Sequence, residues 1–311
     1  MYALNTVAPI FLLVLLGWAL RRTGFLDRPF FAGLNRLVFW VGLPILFFNK
    51  IATAPAGATR AGTIFLVLLG GTAAGALLGL LVARLFRLDA RSTATLIQGA
   101  FRGNLGYVGL PVILYSVAGW QPQARSAAEG LAVLAIAPLV PVYNVAAVLI
   151  LLGGSTKRTE IRVGRFILKA LTNPLVIGCA AGFVFWIPWL RLPLVLDRTT
   201  AAVGQMVLPM ALLALGASLQ GTQLTAGLVP AAAGAFVKIC CVPLVGFALA
   251  RLAGLGALET RIALVYLACP TAVVSHIMAQ QFGSDGPLAA RIILISTLLC
   301  GGVLSLALSS V

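Results

Sequence analysis

Acidic residues are scarce in this 311-residue chain: seven Asp and Glu stand against 22 Lys and Arg, and charged residues of all kinds make up only 9%. A typical soluble domain is about 25% charged and about 45–50% apolar. Here 61% of residues are hydrophobic and the mean hydropathy is +1.07, too much apolar surface for a soluble fold to hide. One histidine, His276, excludes histidine-box chemistry. The five cysteines, Cys179, Cys240, Cys241, Cys269 and Cys300, fall inside apolar stretches, without metal-ligand spacing or the loop-placed pattern of a disulfide framework. No His, Asp, Glu or Cys cluster with catalytic or metal spacing lies on an apolar run, so no catalytic residue, metal site or cofactor is expected. The net charge of +15 would suggest nucleic acid in a soluble protein. Nearly all the Lys and Arg fall in short loops between apolar runs, where they read as topology signals, and the surrounding partner is membrane lipid.

What the chain has instead is apolar runs of spanning length, recurring about every 30 residues. They place ten spans at 4–20, 34–50, 62–84, 92–118, 127–152, 168–189, 199–219, 226–250, 260–282 and 288–309, an all-α integral membrane fold. The first run has no basic residue before it and Arg21 and Arg22 after it, the reverse of a cleavable signal peptide, so it reads as a span. The loops after the odd-numbered spans, with the span ends beside them, hold 13 Lys and Arg against 7 for those after spans 2, 4, 6 and 8, and the strongest group is Lys157, Arg158, Arg162, Arg165 and Lys169. The positive-inside rule then puts the span 5–6 loop in the cytoplasm and both termini outside a bacterial inner or other plasma membrane.

Sliding the sequence by 165 residues sets Pro9 on Pro174, Gly17 on Gly182 and Leu43-Pro44 on Leu208-Pro209. The same shift superposes spans 1–5 on spans 6–10, which divides the chain into repeats 1–155 and 156–311. An odd number of spans per repeat inverts the second, the architecture of secondary transporters with a midplane site.

Span 4 contains FRGNLGYVGLP, with Gly103, Gly106, Gly109 and Pro111 in one short stretch. Gly costs about 1 and Pro about 3 kcal/mol in a helix interior, so the helix is expected to break there, beside the polar Asn104. Span 9 has a corresponding interruption at Ala268-Cys269-Pro270-Thr271-Ala272. Paired breaks in corresponding helices point to a transporter's site. If they cross, their half-helix N-termini offer N–H groups and partial positive charge to an anion, with Asn104, Gly103, Gly106, Pro111, Pro270 and Thr271 at the crossing. The alternative is a pair of packing kinks.

Two cations lie inside spans, Arg102 just before the break and Lys238 near the centre of span 8. Intramembrane cations are expensive and default to function, and both favour an anionic substrate. Against this, Arg102 would snorkel or pair with backbone carbonyls, and Lys238 would tether carbonyls of the unwound segment. All seven acidic residues, Glu129 among them, map to loops or span ends, so no midplane carboxylate is expected to couple transport to protons or sodium. Carbonyls and hydroxyls remain for sodium, and His276, six residues after Pro270, for protons, unless it is a structural residue. Tyr143, Asn144, Ser275 and Gln280 are polar candidates for lining a cavity. Gly71, Gly75 and Gly79 form a GxxxG face, read as internal packing more readily than as a dimer seam.

The span 4 string with Gly109-Leu110-Pro111, Pro141-Val142-Tyr143-Asn144, Asn173-Pro174, Leu208-Pro209 and Cys269-Pro270-Thr271-Ala272 together resemble the auxin efflux carrier family, across essentially the whole chain. That family includes bacterial malonate- and malate-type carriers and the plant PIN auxin exporters. The resemblance implies a scaffold of spans 1, 2, 6 and 7, a transport unit of spans 3–5 and 8–10 built on crossed spans 4 and 9, elevator-like movement, and a homodimer. The span 5–6 loop is short, which departs from the plant carriers. The expected function is therefore secondary transport of a small organic anion, such as a dicarboxylate or auxin-like acid, with a passive anion channel as the alternative and a membrane-embedded enzyme behind it.

Overall fold

The computed structural model describes residues 2–54, 60–154, 172–186, 192–220 and 227–309. The five basic residues of the span 5–6 loop and the boundary between the expected repeats lie outside them. In chain order the helices are α1 (Tyr2–Arg22), α2 (Arg28–Leu37), α3 (Leu43–Ala52), α4 (Ala61–Leu85), α5 (Ala90–Phe101), α6 (Leu110–Ser116), α7 (Pro122–Ile136) and α8 (Leu139–Gly154). They continue with α9 (Pro174–Trp186), α10 (Leu194–Ser218), α11 (Leu228–Phe236), α12 (Val242–Leu252), α13 (Ala257–Leu267), α14 (Val274–Gln281) and α15 (Gly286–Ser309). Among the described residues the extended structure is a single β-bridge, Gly103 to Thr271.

Among the described residues, six stretches are long and apolar enough to cross a membrane: Arg28–Ala52, Ala61–Leu85, Pro122–Gly154, Leu194–Ser218, Leu228–Leu252 and Gly286–Ser309. At 1.5 Å per residue the 25-residue α4 is about 37 Å long, enough for a hydrocarbon core of about 30 Å. Large apolar side chains such as Leu66, Leu77, Leu244, Leu298 and Leu306 are exposed while glycines and alanines are buried, the arrangement of a bundle in lipid. The chain is an all-α integral membrane protein.

Two of the long stretches, Arg28–Ala52 and Leu228–Leu252, and the shorter apolar helix Leu105–Ser116 pass through a π-helical turn, and each turn is followed by an apolar residue and a proline. Val38–Gly42 precedes Leu43-Pro44, Leu105–Gly109 precedes Leu110-Pro111, and Val237–Cys241 precedes Val242-Pro243. A proline inside an α-helix loses one backbone bond and clashes with a carbonyl one turn back. The wider turn moves that carbonyl out of the way, so the residue before each proline donates five residues back, from Leu43 to Val38, Leu110 to Leu105 and Val242 to Val237.

Small residues set the packing. Helix α1 lies against α10, with Gly17 on the Leu213 carbonyl and Gly216 on the Val14 carbonyl, and α9 lies against α3, with Gly182 on the Phe48 carbonyl and Gly178 on the Pro44 carbonyl. The shift of 165 that carries Gly17 onto Gly182 also carries Phe48 onto Leu213, so the same glycine–carbonyl contact occurs twice with its halves exchanged. Helix α3 is further joined to α10 by the Asn49 amide, which donates to Asp197 Oδ1 and Thr200 Oγ1 at 2.9 Å. A second group gathers round α4. Its GxxxG face packs on Leu267 of α13 at Gly71, on Val242 and the Ala100 carbonyl at Gly75, and on Ala100 and Ile97 of α5 at Gly79. The glycine face is thus internal packing. Helices α5, α11 and α14 in turn pack on α15.

The two groups meet where α3 approaches α7. Here Glu129 departs from its expected place at a span end: α7 begins at Pro122, so Glu129 lies within the helix, 4% exposed. Lys50 Nζ reaches its Oε2 at 2.6 Å and Arg125 Nε its Oε1 at 2.8 Å. A Cβ on the neighbouring Gly130 would stand 2.7 Å from the Cβ of Ala54, so the backbones are as close as they can be.

If glycine–carbonyl contacts set the spacing of the first group, Gly216→Ala forces α1 off α10 and costs about 1–3 kcal/mol, the usual penalty of overpacking. Gly153→Ala, with open space around its Cα, is the control. Thermal unfolding in detergent should show a clear loss for the first and none for the second; equal melting temperatures would refute the contact.

Candidate functional site

Helix α5 opens on Asp89, whose carboxylate accepts from the Ser92 amide at 2.9 Å as an N-cap, and hydrogen bonding from Ser92, its side chain first and its amide second, holds the carboxyl below the usual carboxylate range. The helix ends at Phe101, where Arg102 turns to an extended conformation (φ −82°, ψ 93°). Helix α13 ends at Leu267, two residues before Cys269, because Pro270 cannot donate and disfavours helix in the residue before it.

The two breaks pass each other as an antiparallel pair. The Asn104 N–H donates to the Pro270 carbonyl at 2.8 Å and the Ala272 N–H to the Arg102 carbonyl at 2.9 Å, on either side of the Gly103–Thr271 bridge. Each interrupted helix therefore satisfies backbone groups of the other, groups that in lipid would cost several kcal/mol apiece if left bare. Side chains fasten the pair: Thr271 Oγ1 donates to the Gly99 carbonyl at 2.7 Å, and the Thr271 N–H donates to Ser296 Oγ on α15 at 3.0 Å. Gly109 packs against the Cys269 sulfur and the Tyr266 ring, both 2.7 Å from where a Cβ would be. The Asn104 carbonyl accepts from Val108 and Gly109 and starts the π-turn that leads to buried Pro111.

Of the residues expected at the crossing, Gly103, Asn104, Pro270 and Thr271 come together in the bridge. Gly106 lies on the face toward α3, with Leu43 Cδ1 3.4 Å from where its Cβ would be, and Pro111 is a turn further on in α6. The crossing thus sits where the α4-centred group faces the α1–α3–α9–α10 group. The expected offer of free helix-end amides is reduced, because the Asn104, Thr271 and Ala272 N–H groups are engaged. The Asn104 side chain is what remains: the residue is 6% exposed and its Nδ2 has no hydrogen-bond partner.

The two buried cations part ways. Lys238, fully buried on the π-turn between α11 and α12, donates to the Leu267 carbonyl, whose usual partner four residues on, the Thr271 N–H, is committed to Ser296. It is the tether to the unwound segment. Arg102 neither snorkels nor reaches a carbonyl through its guanidinium: it donates to Asn144 Oδ1 on α8 at 2.6 Å and to Met278 Sδ on α14 at 3.0 Å. Tyr143 is buried edge-on to Phe101 at 5.7 Å between ring centroids, and its hydroxyl accepts from Thr72 Oγ1 at 3.2 Å. His276 Nδ1 lies 2.9 Å from the Gly286 carbonyl, which requires the proton on Nδ1 and ties the ring to the start of α15.

Sequence reasoning missed Gln98, Met278 and Ser296. Gln98, one turn before Arg102, is fully buried, sends Nε2 to Met278 Sδ at 3.8 Å and leaves Oε1 without a partner. A buried amide within an apolar run was a visible signal. Nothing in the sequence marks Met278 as an acceptor or Ser296 as a clamp, since both depend on α14 and α15 folding back over α5. Ser275, singled out for polarity, has an unpartnered Oγ and is buried on α14.

The profile of the family described as membrane transport protein matches residues 2–308. A protein of Rhizobium meliloti (strain 1021) named "Putative malonate transporter" is 27% identical over 305 residues, covering 94% of this chain and 91% of its own length.

Removing the tether should loosen the crossing. Lys238→Met leaves the Leu267 carbonyl bare, a loss of about 1–3 kcal/mol, and hydrogen exchange in peptides spanning 102–104 and 270–273 should quicken. Unchanged exchange would show that Lys238 does not hold the segment.

Proposed function

The chain belongs to the auxin efflux carrier family of membrane transport proteins, and from that premise we propose that it is a secondary transporter of a small organic anion, with a carboxylate bound at the α5/α13 crossing. The observation that carries this reading is the buried, unpartnered Asn104 Nδ2 at the point where two interrupted helices meet. A buried donor without an acceptor costs about 1–3 kcal/mol, and an anionic oxygen is the acceptor that recovers most. The positive charge of Arg102 and Lys238 nearby, with no carboxylate among the described residues paired to either, favours an anion over a cation or neutral solute. The malonate in the relative's printed name is consistent with the same chemistry.

The transport cycle we propose is alternating access. In it the α4–α8 and α11–α15 unit slides, elevator-like, against a scaffold of α1–α3, α9 and α10. Two features support that division: the glycine–carbonyl contacts that close α1 on α10 and α9 on α3, and the separate glycine face that closes α4 on α5 and α13. The exchanged Gly17–Leu213 and Gly182–Phe48 contacts fit two inverted five-span repeats, each interrupted in its fourth span. Movement would break the Lys50–Glu129 ion pair that joins α3 to α7. The loop charges favour both termini outside and the span 5–6 loop in the cytoplasm, and a homodimer completes the proposal.

Purified protein in liposomes, given labelled malonate, malate, lactate and an indole acid with and without a membrane potential, tests it. Saturable uptake and counterflow of an acid are expected, and Asn104→Ala, which deletes the side-chain donor but keeps the backbone bridge, should weaken uptake about 10- to 100-fold. No uptake under any gradient would remove the anion reading, and full activity of the variant would move the site elsewhere.

A further inference from the structure

Arg102 is a buried cation whose observed partners are neutral. It is 6% exposed, its guanidinium donates to an amide oxygen of Asn144 and the thioether of Met278, and no carboxylate among the described residues pairs with it. A thioether is a weak acceptor, and a guanidinium held away from water without a counter-charge is destabilised by several kcal/mol. The same sulfur also takes the Gln98 amide, so two donors converge on one poor acceptor while Gln98 Oε1 and Ser275 Oγ stand unpartnered. This is a polar cluster of α5, α8 and α14 that lacks an anion.

The local backbone relates the cluster to the crossing. Arg102 is extended (φ −82°, ψ 93°) and Gly103 forms the bridge to Thr271, before Asn104 (φ −82°, ψ 67°) turns the chain into the π-turn. In extended chain, side chains alternate in direction and residues two apart share a face, with Cα atoms about 6–7 Å apart. A Cβ on Gly103 would point at Lys238, 3.3 Å from its Cε. Lys238 therefore occupies one face of the bridged segment, and Arg102 and Asn104 leave from the other.

We propose that Arg102 is the specificity-determining residue for a second carboxylate, so that the site takes a small dicarboxylate, one carboxylate on Asn104 and the other on the Arg102 guanidinium, in preference to a monocarboxylate. The proposal rests on the anion reading of the crossing. The guanidinium fork matches a carboxylate in two parallel hydrogen bonds, and the dicarboxylate replaces Met278 as its acceptor. Gln98 positions the group through the Met278 sulfur that both contact. Lys238, on the opposite face, contacts neither carboxylate.

The test compares malonate with monomethyl malonate, which has nearly the same skeleton and one carboxylate fewer. Competition against labelled malonate in proteoliposomes and thermal stabilisation in detergent are measured for the wild type, Arg102→Gln, Arg102→Lys and Asn104→Ala. The wild type should prefer malonate by about 10- to 100-fold, the scale of one charge-assisted hydrogen-bonded pair. Arg102→Gln should collapse that ratio toward one, Arg102→Lys should keep part of it because the charge remains, and Asn104→Ala should weaken both ligands with the ratio retained. A wild type that does not discriminate, or an Arg102→Gln protein that discriminates as the wild type does, would overturn the proposal. Loss of both ligands in Arg102→Lys as well as Arg102→Gln would assign Arg102 to folding and equally overturn it. Failure of Asn104→Ala to affect either ligand would instead undo the anion reading of the crossing.

Discussion

Two helices that stop inside an apolar bundle leave backbone donors and acceptors with nothing to bond, and the antiparallel pair formed by residues 102–104 and 270–272 is how this protein satisfies them. The Asn104-to-Pro270 and Ala272-to-Arg102 hydrogen bonds link the breaks to each other, and the link constrains everything nearby. A side chain on Gly103 would press on Lys238, Thr271 must reach Gly99, and α15 must lie close enough for Ser296 to take the Thr271 amide. Neither broken helix would be tolerable alone in hydrocarbon; together they make a rigid crossing with one polar side chain left over.

That economy explains why the two intramembrane cations have different surroundings. Once the Thr271 amide is taken by Ser296, the Leu267 carbonyl needs a donor, and Lys238 supplies it from the π-turn of the adjacent stretch. Its charge is spent on backbone. Arg102 has no such duty: its own carbonyl is in the bridge, while its guanidinium extends to Asn144 and Met278 and keeps its charge uncompensated by any described carboxylate. The contrast follows from which face of the bridged segment each group approaches.

Small residues do the rest of the positioning. Without a hydrophobic drive between helices in lipid, close approach of backbones is the main source of contact. Gly17, Gly178, Gly182 and Gly216 bring α1 to α10 and α9 to α3 through direct glycine–carbonyl contacts, and Gly71, Gly75 and Gly79 bring α4 to the broken helices. Where α3 meets α7 a glycine contact, Gly130 on Ala54, is joined by a buried Glu129 shared by Lys50 and Arg125.

Much of this was legible in the residues alone. Apolar runs of spanning length determined a helical membrane protein, because no other composition-compatible fold satisfies its backbone in lipid. Gly103 and Pro270 marked where helices stop, because Gly and Pro penalise helix locally, whereas Gly106 and Pro111 are carried in helix by the π-turn. The GxxxG spacing of Gly71, Gly75 and Gly79 determined one packing face. What tertiary structure decided were the pairings between residues far apart in the chain. That Thr271 serves Gly99, Lys238 serves Leu267, Arg102 meets Asn144 and Met278, and Glu129 joins Lys50 depends on how the helices come to lie against one another. Local preference acts over one turn of helix and states which groups need a partner; only packing in three dimensions chooses the partner.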